Sequence, residues 1–345
     1  MAGRASVFSD PRVLAAARDF LPAADEVWRL QRGGDAECLF FQRAVNGGEP
    51  ITDNGTRQGI YVMSPSGRVL SRVNSLDADR VLTMMADGLA AWKELPAAER
   101  RLDPAALLDG EERWEGSRPK KGLVLERLVR DLPSVGGLQG ERAAKWNRDS
   151  LWFSQAEAKA LVAAAQAASG LDPADDEGWR AAPEAFTRRL ASFTLVDNVY
   201  GQCIPFDAGD LEEVVVEVRA TVQDGTMLAL QLRGRTMARE DGKWTLGDNL
   251  WTPRKLHDHA MQTVLLGDAQ WDVQDETFQA FEMVALGRRS GFTELNSRRF
   301  RPEPGGIGFL IRLDRRAWSP APTFMALYEA DWVRKPKLGR ELRLR

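Results

Sequence analysis

The sequence has few of the residues on which most active sites depend. It contains two cysteines and two histidines in 345 residues. A chain of this length can bury a large core without covalent staples, so the cysteines are not needed as a disulfide framework. The G-x-S-x-G nucleophile elbow and the G-x-x-x-x-G-K-[ST] phosphate loop are both absent.

Long hydrophobic runs and an excess of one charge are also missing. No apolar stretch is long enough to span a bilayer, and Arg12, Arg18 and Asp19 interrupt the N-terminal region where a signal peptide would need a continuous apolar core. The formal net charge is −3, which argues against nonspecific nucleic-acid binding. We therefore expect a cytoplasmic protein with no nucleic-acid and no membrane partner, unless the true start lies upstream.

What is present is clearest between Gly59 and Trp92. The short β-forming run 60–63, the turn Ser64-Pro65-Ser66-Gly67 and the alternating run 68–73 predict a β-hairpin. Asp77 is a suitable N-cap for the helix that follows, and apolar residues recur at helical spacing as far as Trp92.

A hairpin that leads into a closing helix resembles the end of the thioredoxin fold. Upstream, Phe8-Ser9-Asp10-Pro11 followed by the segment 13–20 resembles the thioredoxin-like pattern in which an aspartate starts the second half of the first long helix, and Glu26–Leu30 is expected to be the next central strand. The resemblance covers residues 1–95 and implies a thioredoxin-like α/β domain.

The redox motifs of that family are missing. There is no C-x-x-C, and Thr56-Arg57-Gln58 stands where the cis-proline is expected. Cys38 lies in an apolar run, which favours a small buried side chain over a reactive thiolate. We therefore expect a redox-inactive domain, with the alternative that an active thiol or selenol pair precedes Met1.

Residues 96–122, charged and rich in proline and glycine, are predicted to be a linker or arm, and residues 123–345 a β-rich α+β domain. Strict alternation over 214–222, the Asp224-Gly225 turn and a return strand to Leu232 predict a hairpin with one packed face. Further strands are expected in meander order, giving a mainly antiparallel curved sheet or partial barrel with a few helices. They are predicted at 122–131, 193–196, 262–266, 278–286, 308–313 and 324–332.

Two of these local patterns are specific enough to compare with a structure. On the strand 122–131, Leu123, Leu125 and Leu128 are expected on one face and Glu126, Arg127 and Arg130 on the other. Ser154-Gln155-Ala156-Glu157 predicts a capping box at the start of a helix.

Aromatic and polar side chains concentrate around residues 145–153, and the chain has eleven tryptophans. Because tryptophan is favoured at ligand and partner surfaces, a polar pocket with aromatic walls is a hypothesis for this segment, and the favoured alternative is that the tryptophans pack in the core and between domains. Its candidate ligand-binding residues are Trp146, Asp149, Trp152, Asp197 and Asn198.

Both histidines lie in the segment Lys255-Leu256-His257-Asp258-His259. On a strand, His257 and His259 would share a face and could bind one divalent metal with a carboxylate from elsewhere, such as Asp248, Asp268 or Asp272. The alternative is a pair of surface histidines in a loop. Cys203 follows a glycine and could act as a nucleophile with a histidine, a weaker hypothesis.

The leading interpretation is a non-catalytic two-domain protein whose β-rich part binds a small molecule or a protein, with no cofactor. The alternative is an enzyme. It would be either an oxidoreductase whose active pair lies upstream of Met1 or a metal-assisted hydrolase that uses His257 and His259.

Overall fold

The computed structural model divides the chain into two compact units, Met1–Gly116 and Ser117–Arg345. They are called unit 1 and unit 2 below. The structure describes residues 7–25, 27–49, 51, 55–102, 110–111, 118–133, 146–167, 178–201, 203, 205–206, 208–241, 257–293, 296–299 and 302–315.

Unit 1 combines short helices with a small sheet. Aspartates begin three of its helices, because the side chains of Asp10, Asp35 and Asp77 accept hydrogen bonds from backbone amides of the first turn. Its elements are α1 (Pro11–Ala16), α2 (Val27–Arg32), α3 (Ala36–Val45), β1 (Ile60–Met63), β2 (Val69–Val73) and α4 (Ala78–Glu94).

The hairpin and closing helix of unit 1 are confirmed, but the strand predicted at Glu26–Leu30 is wrong. β1 pairs with β2 antiparallel, and Gly67 adopts a φ of 87° in the turn. Residues 27–32 form α2 instead of a strand. Arg29 binds Asp25 one helical turn before it and donates to Asp35 at 2.6 Å, and these contacts favour the helix over the β propensity of the run.

Unit 2 is built on one antiparallel sheet of eight strands, which confirms the predicted α+β class. The sheet order is β4-β3-β10-β9-β8-β7-β6-β5. The elements are β3 (Leu123–Asp131), β4 (Trp146–Phe153), α5 (Gln155–Gln166), β5 (Arg180–Ala181), α6 (Glu184–Arg189), β6 (Leu211–Asp224), β7 (Met227–Glu240), β8 (His259–Asp272), β9 (Thr277–Gly291) and β10 (Gly305–Leu313).

The sheet curves around α5 without closing. Ser154 and Glu157 form the predicted capping box at the start of this helix, which contacts β4 at one end of the sheet and β5 and β6 at the other. Among the described strands, β4 and β5 are not hydrogen-bonded to each other. None of the described helices is both long and apolar enough to cross a membrane.

The strand predicted at 193–196 is wrong. α6 runs directly into a π-helical turn, Leu190–Thr194, and the chain then continues irregularly. Every residue from 189 to 199 is buried, so this segment crosses the interior of unit 2 and is called the buried loop below. Its residues are apolar because they are buried, and a short apolar run can be buried as a strand or as a helical segment. The strand predicted at 324–332 lies outside the described residues.

One face of the sheet is the core of unit 2. Val218 and its partner Leu232 are 0% and 2% exposed, as the hairpin alternation predicts, although the pairing register shifts between Ala220 and Val222. On β3 the buried face carries Leu123, Leu125, Arg127, Val129 and Asp131. The predicted positions of two residues are wrong. Leu128 lies on the opposite face from Leu123 and Leu125, and Arg127 lies on the same face as they do.

Candidate functional site

Six charged side chains lie close together in the interior of unit 2 and form the charge cluster. Each is at most 8% exposed. Three are acidic and three basic, so their formal charges balance. The members are Arg127 and Asp131 on β3, Asp149 on β4, Asp197 in the buried loop, Arg289 on β9, and Arg298 after β9.

Arg298 forms the centre of one half of the cluster. Its guanidinium donates to both oxygens of Asp131, at 2.6 and 2.8 Å, and to both oxygens of Asp197, at 2.8 Å each. Tyr200 donates its hydroxyl to Asp131 Oδ2 at 3.0 Å, and its ring lies 4.4 Å from the guanidinium carbon of Arg298. Two bidentate contacts on one guanidinium satisfy the charge and fix the geometry of both carboxylates.

Arg127 forms the other half and supports the buried loop. It donates to Asp149 Oδ2 at 2.8 Å and to the backbone carbonyls of Thr194 and Val196 at 2.9 and 3.3 Å. Asn198 donates to the same carboxylate of Asp149 at 3.2 Å. A buried irregular segment must find partners for its carbonyl groups, and Arg127 supplies two of these hydrogen bonds.

The electrostatics around Asp131 favour its ionised form. Burial by itself would raise the pKa of Asp131, but the hydrogen bonds from Arg298 and Tyr200 outweigh it, so the pKa is lower than that of an exposed aspartate. An aspartate held this firmly as an anion is a poor general base, since its proton affinity is reduced. The cluster is therefore suited to clamping the buried loop against β3 and β4.

Of the five residues predicted to line a pocket, the structure brings three together. Asp149 and Asn198 are hydrogen-bonded, and Asp197 lies beside them in the charge cluster. Trp146 and Trp152 are separated from Asp149 by odd numbers of residues on β4, so they project from the opposite face of the sheet. Trp152 is 2% exposed, whereas Trp146 is 55% exposed with Arg148 stacked on its ring.

The two histidines are close in sequence but contact different rings. His257 precedes β8 and stacks on Phe292 at 4.1 Å between ring centroids, whereas His259 begins β8 and stacks on Phe206 at 4.7 Å. His259 is buried, with Nε2 3.8 Å from the buried carboxylate of Glu240. Within the described ranges no group of three or more His, Cys, Asp or Glu side chains could hold a metal ion. Asp248 lies outside those ranges.

Both cysteines are buried. Burial raises the pKa of the Cys38 thiol far above its ordinary value, and its Sγ lies 3.2 Å from Asp35 Oδ2. Burial also raises the pKa of Cys203, and the nearby negative charge of Asp197 adds to the effect. Because the thiolate is the reactive form, neither site favours thiol chemistry.

The face of the sheet that points away from the core carries exposed apolar side chains on β8 and β9. Val264 and Leu266 on β8 are 61% and 66% exposed, and Val284 and Leu286 on β9 are 42% and 54% exposed. Val264 pairs with Leu286, and Leu266 pairs with Val284, so the four form a continuous block. This block is called the apolar strip.

Charged residues border the apolar strip at its two ends. Asp268 and Glu282 are cross-strand partners at one end, and Gln262 and Arg288 are partners at the other. All four are exposed. Within the described part of the chain, the side chains of Asp268, Glu282 and Arg288 form no ion pair with one another or with any other residue. The strip is therefore an apolar surface with an acidic end and a basic end.

Comparison of the chain with protein-family models, with curated proteins and with solved structures gave no match.

Sequence reasoning missed the three arginines of the cluster, Asp131 and the apolar strip. Strict parity along 123–131 would have placed Arg127 and Asp131 on the face of Leu123 and Leu125. The strip also leaves a signal, because 264–266 and 283–286 are continuously apolar and so predict apolar side chains on both faces of the sheet. Nothing in the sequence indicates that Arg298 reaches Asp131, 167 residues away.

We predict that Arg298→Met destabilises unit 2 by about 3–5 kcal/mol, because it removes the ion pair of buried Asp131 and leaves buried Asp197 with only the more distant Arg289, at 3.7 Å. Arg235→Met is the matched control. Arg235 also binds a carboxylate, Glu213 at 2.6 Å, but both side chains are largely exposed, so its loss should cost under about 1 kcal/mol. Urea unfolding of the two variants measures the difference, and equal losses would show that the cluster is not the clamp described.

We predict that acid weakens unit 2 through Asp131. The pKa of this carboxyl is lowered in the folded state, so its stabilisation is complete above the unfolded value of about 3.9 and is lost as pH falls through the folded pKa. Urea midpoints from pH 6 to pH 2 should fall steeply below about pH 4.

Asp131→Asn removes this proton linkage, so its midpoint should start lower and depend less on pH. Some slope should remain, because hydrogen bonds from Arg189 also leave the pKa of Glu157 below its ordinary value despite partial burial. An unchanged slope in Asp131→Asn would contradict the assignment.

Proposed function

We propose that this chain is a non-catalytic binding protein and that unit 2 binds a protein partner through the apolar strip. The observation that supports this is the exposure of four large apolar side chains in one block on a regular sheet. Single exposed apolar residues are common, but a contiguous apolar patch with a polar border is typical of interaction sites. The central strands β8 and β9 are 14 and 15 residues long, so the strip lies on a rigid base.

The interior of unit 2 supports a binding role over catalysis. All three carboxylates of the charge cluster accept hydrogen bonds from guanidinium groups at 2.6–2.8 Å, and Cys203 is buried with a raised pKa. These side chains hold one another in place and lie away from the solvent face. Asp268, Glu282 and Arg288, at the ends of the apolar strip, are exposed and have no ion partner among the described residues.

For unit 1 we propose a thioredoxin-like domain without redox function. The hairpin β1–β2 followed by α4 supports the resemblance, and the burial of Cys38 supports the lack of redox function. We expect no dithiol-dependent insulin reduction by the purified chain above that of a Cys38→Ser variant. Turnover that Cys38→Ser abolishes would contradict this proposal.

The chemistry of the strip defines the surface that it would bind. Four aliphatic side chains require an apolar centre in the partner, because polar groups buried against them would lose their hydrogen bonds to water without replacement. Asp268 and Glu282 favour a basic group at one end, and Arg288 favours an acidic group at the other. A protein surface with these three parts in this order is the expected partner.

Photo-crosslinking tests the binding surface. We expect a benzophenone amino acid at position 266 of the full chain to form protein adducts in cells, because Leu266 is the most exposed member of the strip. The matched control is position 274, which is also exposed, in the turn between β8 and β9, but lies away from the strip. Adducts at 274 alone, or at neither position, would overturn the proposed binding surface.

A further inference from the structure

We propose that the partner is a second copy of this chain, with the two apolar strips packed face to face about a two-fold axis. This inference rests on the proposed function, since it requires the strip to be a binding surface. The chain itself carries the surface described above, with an apolar centre, an acidic end and a basic end. A symmetric dimer requires such a self-complementary patch, because each residue meets the symmetry-related part of the same patch.

Residues at equal distances on either side of Ala285 on β9 are complementary, as a two-fold axis through this position requires. A two-fold axis that runs parallel to the sheet, just above the apolar strip and across the strands at Ala285, places residue 285+n of one copy opposite residue 285−n of the other. Val284 then faces Leu286 of the second copy, and Glu282 faces Arg288. Apolar residues therefore meet apolar residues, and each exposed acid meets the exposed base.

β8 has the same centre. Leu265 is the cross-strand partner of Ala285, so the axis crosses β8 at Leu265. Val264 then faces Leu266 of the second copy, and Asp268 faces Gln262. The two strands together place four aliphatic side chains of each copy against four of the other, with ion pairs or hydrogen bonds at both ends.

The charges favour this axis over a two-fold axis that runs parallel to the strands. An axis parallel to the strands, between β8 and β9, would place Asp268 of one copy over Glu282 of the other. Both carboxylates lack an ion partner among the described residues, so that arrangement brings like charges together without compensation. The axis across the strands pairs Glu282 with Arg288 twice, once in each direction.

Neighbouring charges on β7 do not oppose this arrangement. Arg233 and Arg235 lie beside Leu266 and Val264, and the axis would place Arg233 near Arg235 of the second copy. Each is already neutralised within its own copy, by Glu217 at 2.8 Å and by Glu213 at 2.6 Å. Twisted sheets that pack face to face also diverge away from the axis, so β7 lies at the rim of the contact.

The size of the strip sets the expected strength. From Glu282 to Arg288 the strand rises six residues, about 20 Å, and strands lie about 4.8 Å apart, so β8, β9 and their borders offer roughly 300 Å² per copy. Stable complexes bury about 800 Å² per partner, so the dimer is expected to be weak and to dissociate on dilution.

Sedimentation equilibrium of the full chain over a wide concentration range tests the dimer. We expect the mean mass to rise from 38.4 kDa towards twice that value with concentration. Glu282→Arg and Arg288→Glu should each weaken association at least about tenfold, because each creates two like-charge contacts. The double variant should restore it. Neither Glu282 nor Arg288 has an ion partner among the described residues of its own copy, so the urea midpoint of each variant measured at low concentration should be unchanged.

The remaining outcomes separate this inference from the proposed function. A monomer at every concentration, or association that ignores both charge reversals, would overturn the two-fold dimer. Position 266 would then either crosslink to a different protein, which keeps the proposed function, or form no adduct, which removes both proposals. A Leu266→Cys thiol that resists maleimide labelling in the monomer would show that another part of the chain covers the strip, which also overturns the dimer.

Discussion

Arg298 makes the contact on which the architecture of unit 2 depends. One guanidinium binds Asp131 at the end of β3 and Asp197 in the buried loop, residues 167 and 101 positions away. Each of these charges would be costly to bury alone, and together they satisfy one another. The buried loop can therefore cross the interior, because Arg298 and Arg127 supply the cations and donors that solvent would supply at the surface.

This constraint assigns different roles to the two faces of the sheet. The inner face is occupied by the core, α5, α6, the buried loop and the charge cluster, and its polar groups bind one another. The outer face of β8 and β9 is exposed to solvent, so its side chains do not have to satisfy buried charges. Its exposed aliphatic residues add nothing to the core, so a role in binding explains why apolar residues occupy positions where polar residues would be expected.

The fold also makes the outer face a suitable binding platform. β8 and β9 lie in the interior of the sheet order, each paired along its length with two neighbours. Side chains on such strands have well-defined positions, so Asp268, Glu282 and Arg288 keep a constant spacing around the apolar strip. A surface of fixed shape loses little entropy on association, which favours even a small contact.

The sequence by itself determined the local elements. Alternation and turn chemistry predicted both hairpins, and capping residues predicted the starts of α4 and α5. Strict alternation along 123–131 places Arg127 and Asp131 on the buried face of β3. The strand predictions at 26–30 and 193–196 failed, because the ion pairs of Arg29 favour α2 and because the apolar run at 193–196 is buried in an irregular segment. Only the tertiary structure decided which charges meet. Arg298 reaches Asp131, and the apolar strip aligns across β8 and β9, because sheet order and register bring together residues whose separation in sequence leaves no periodic signal.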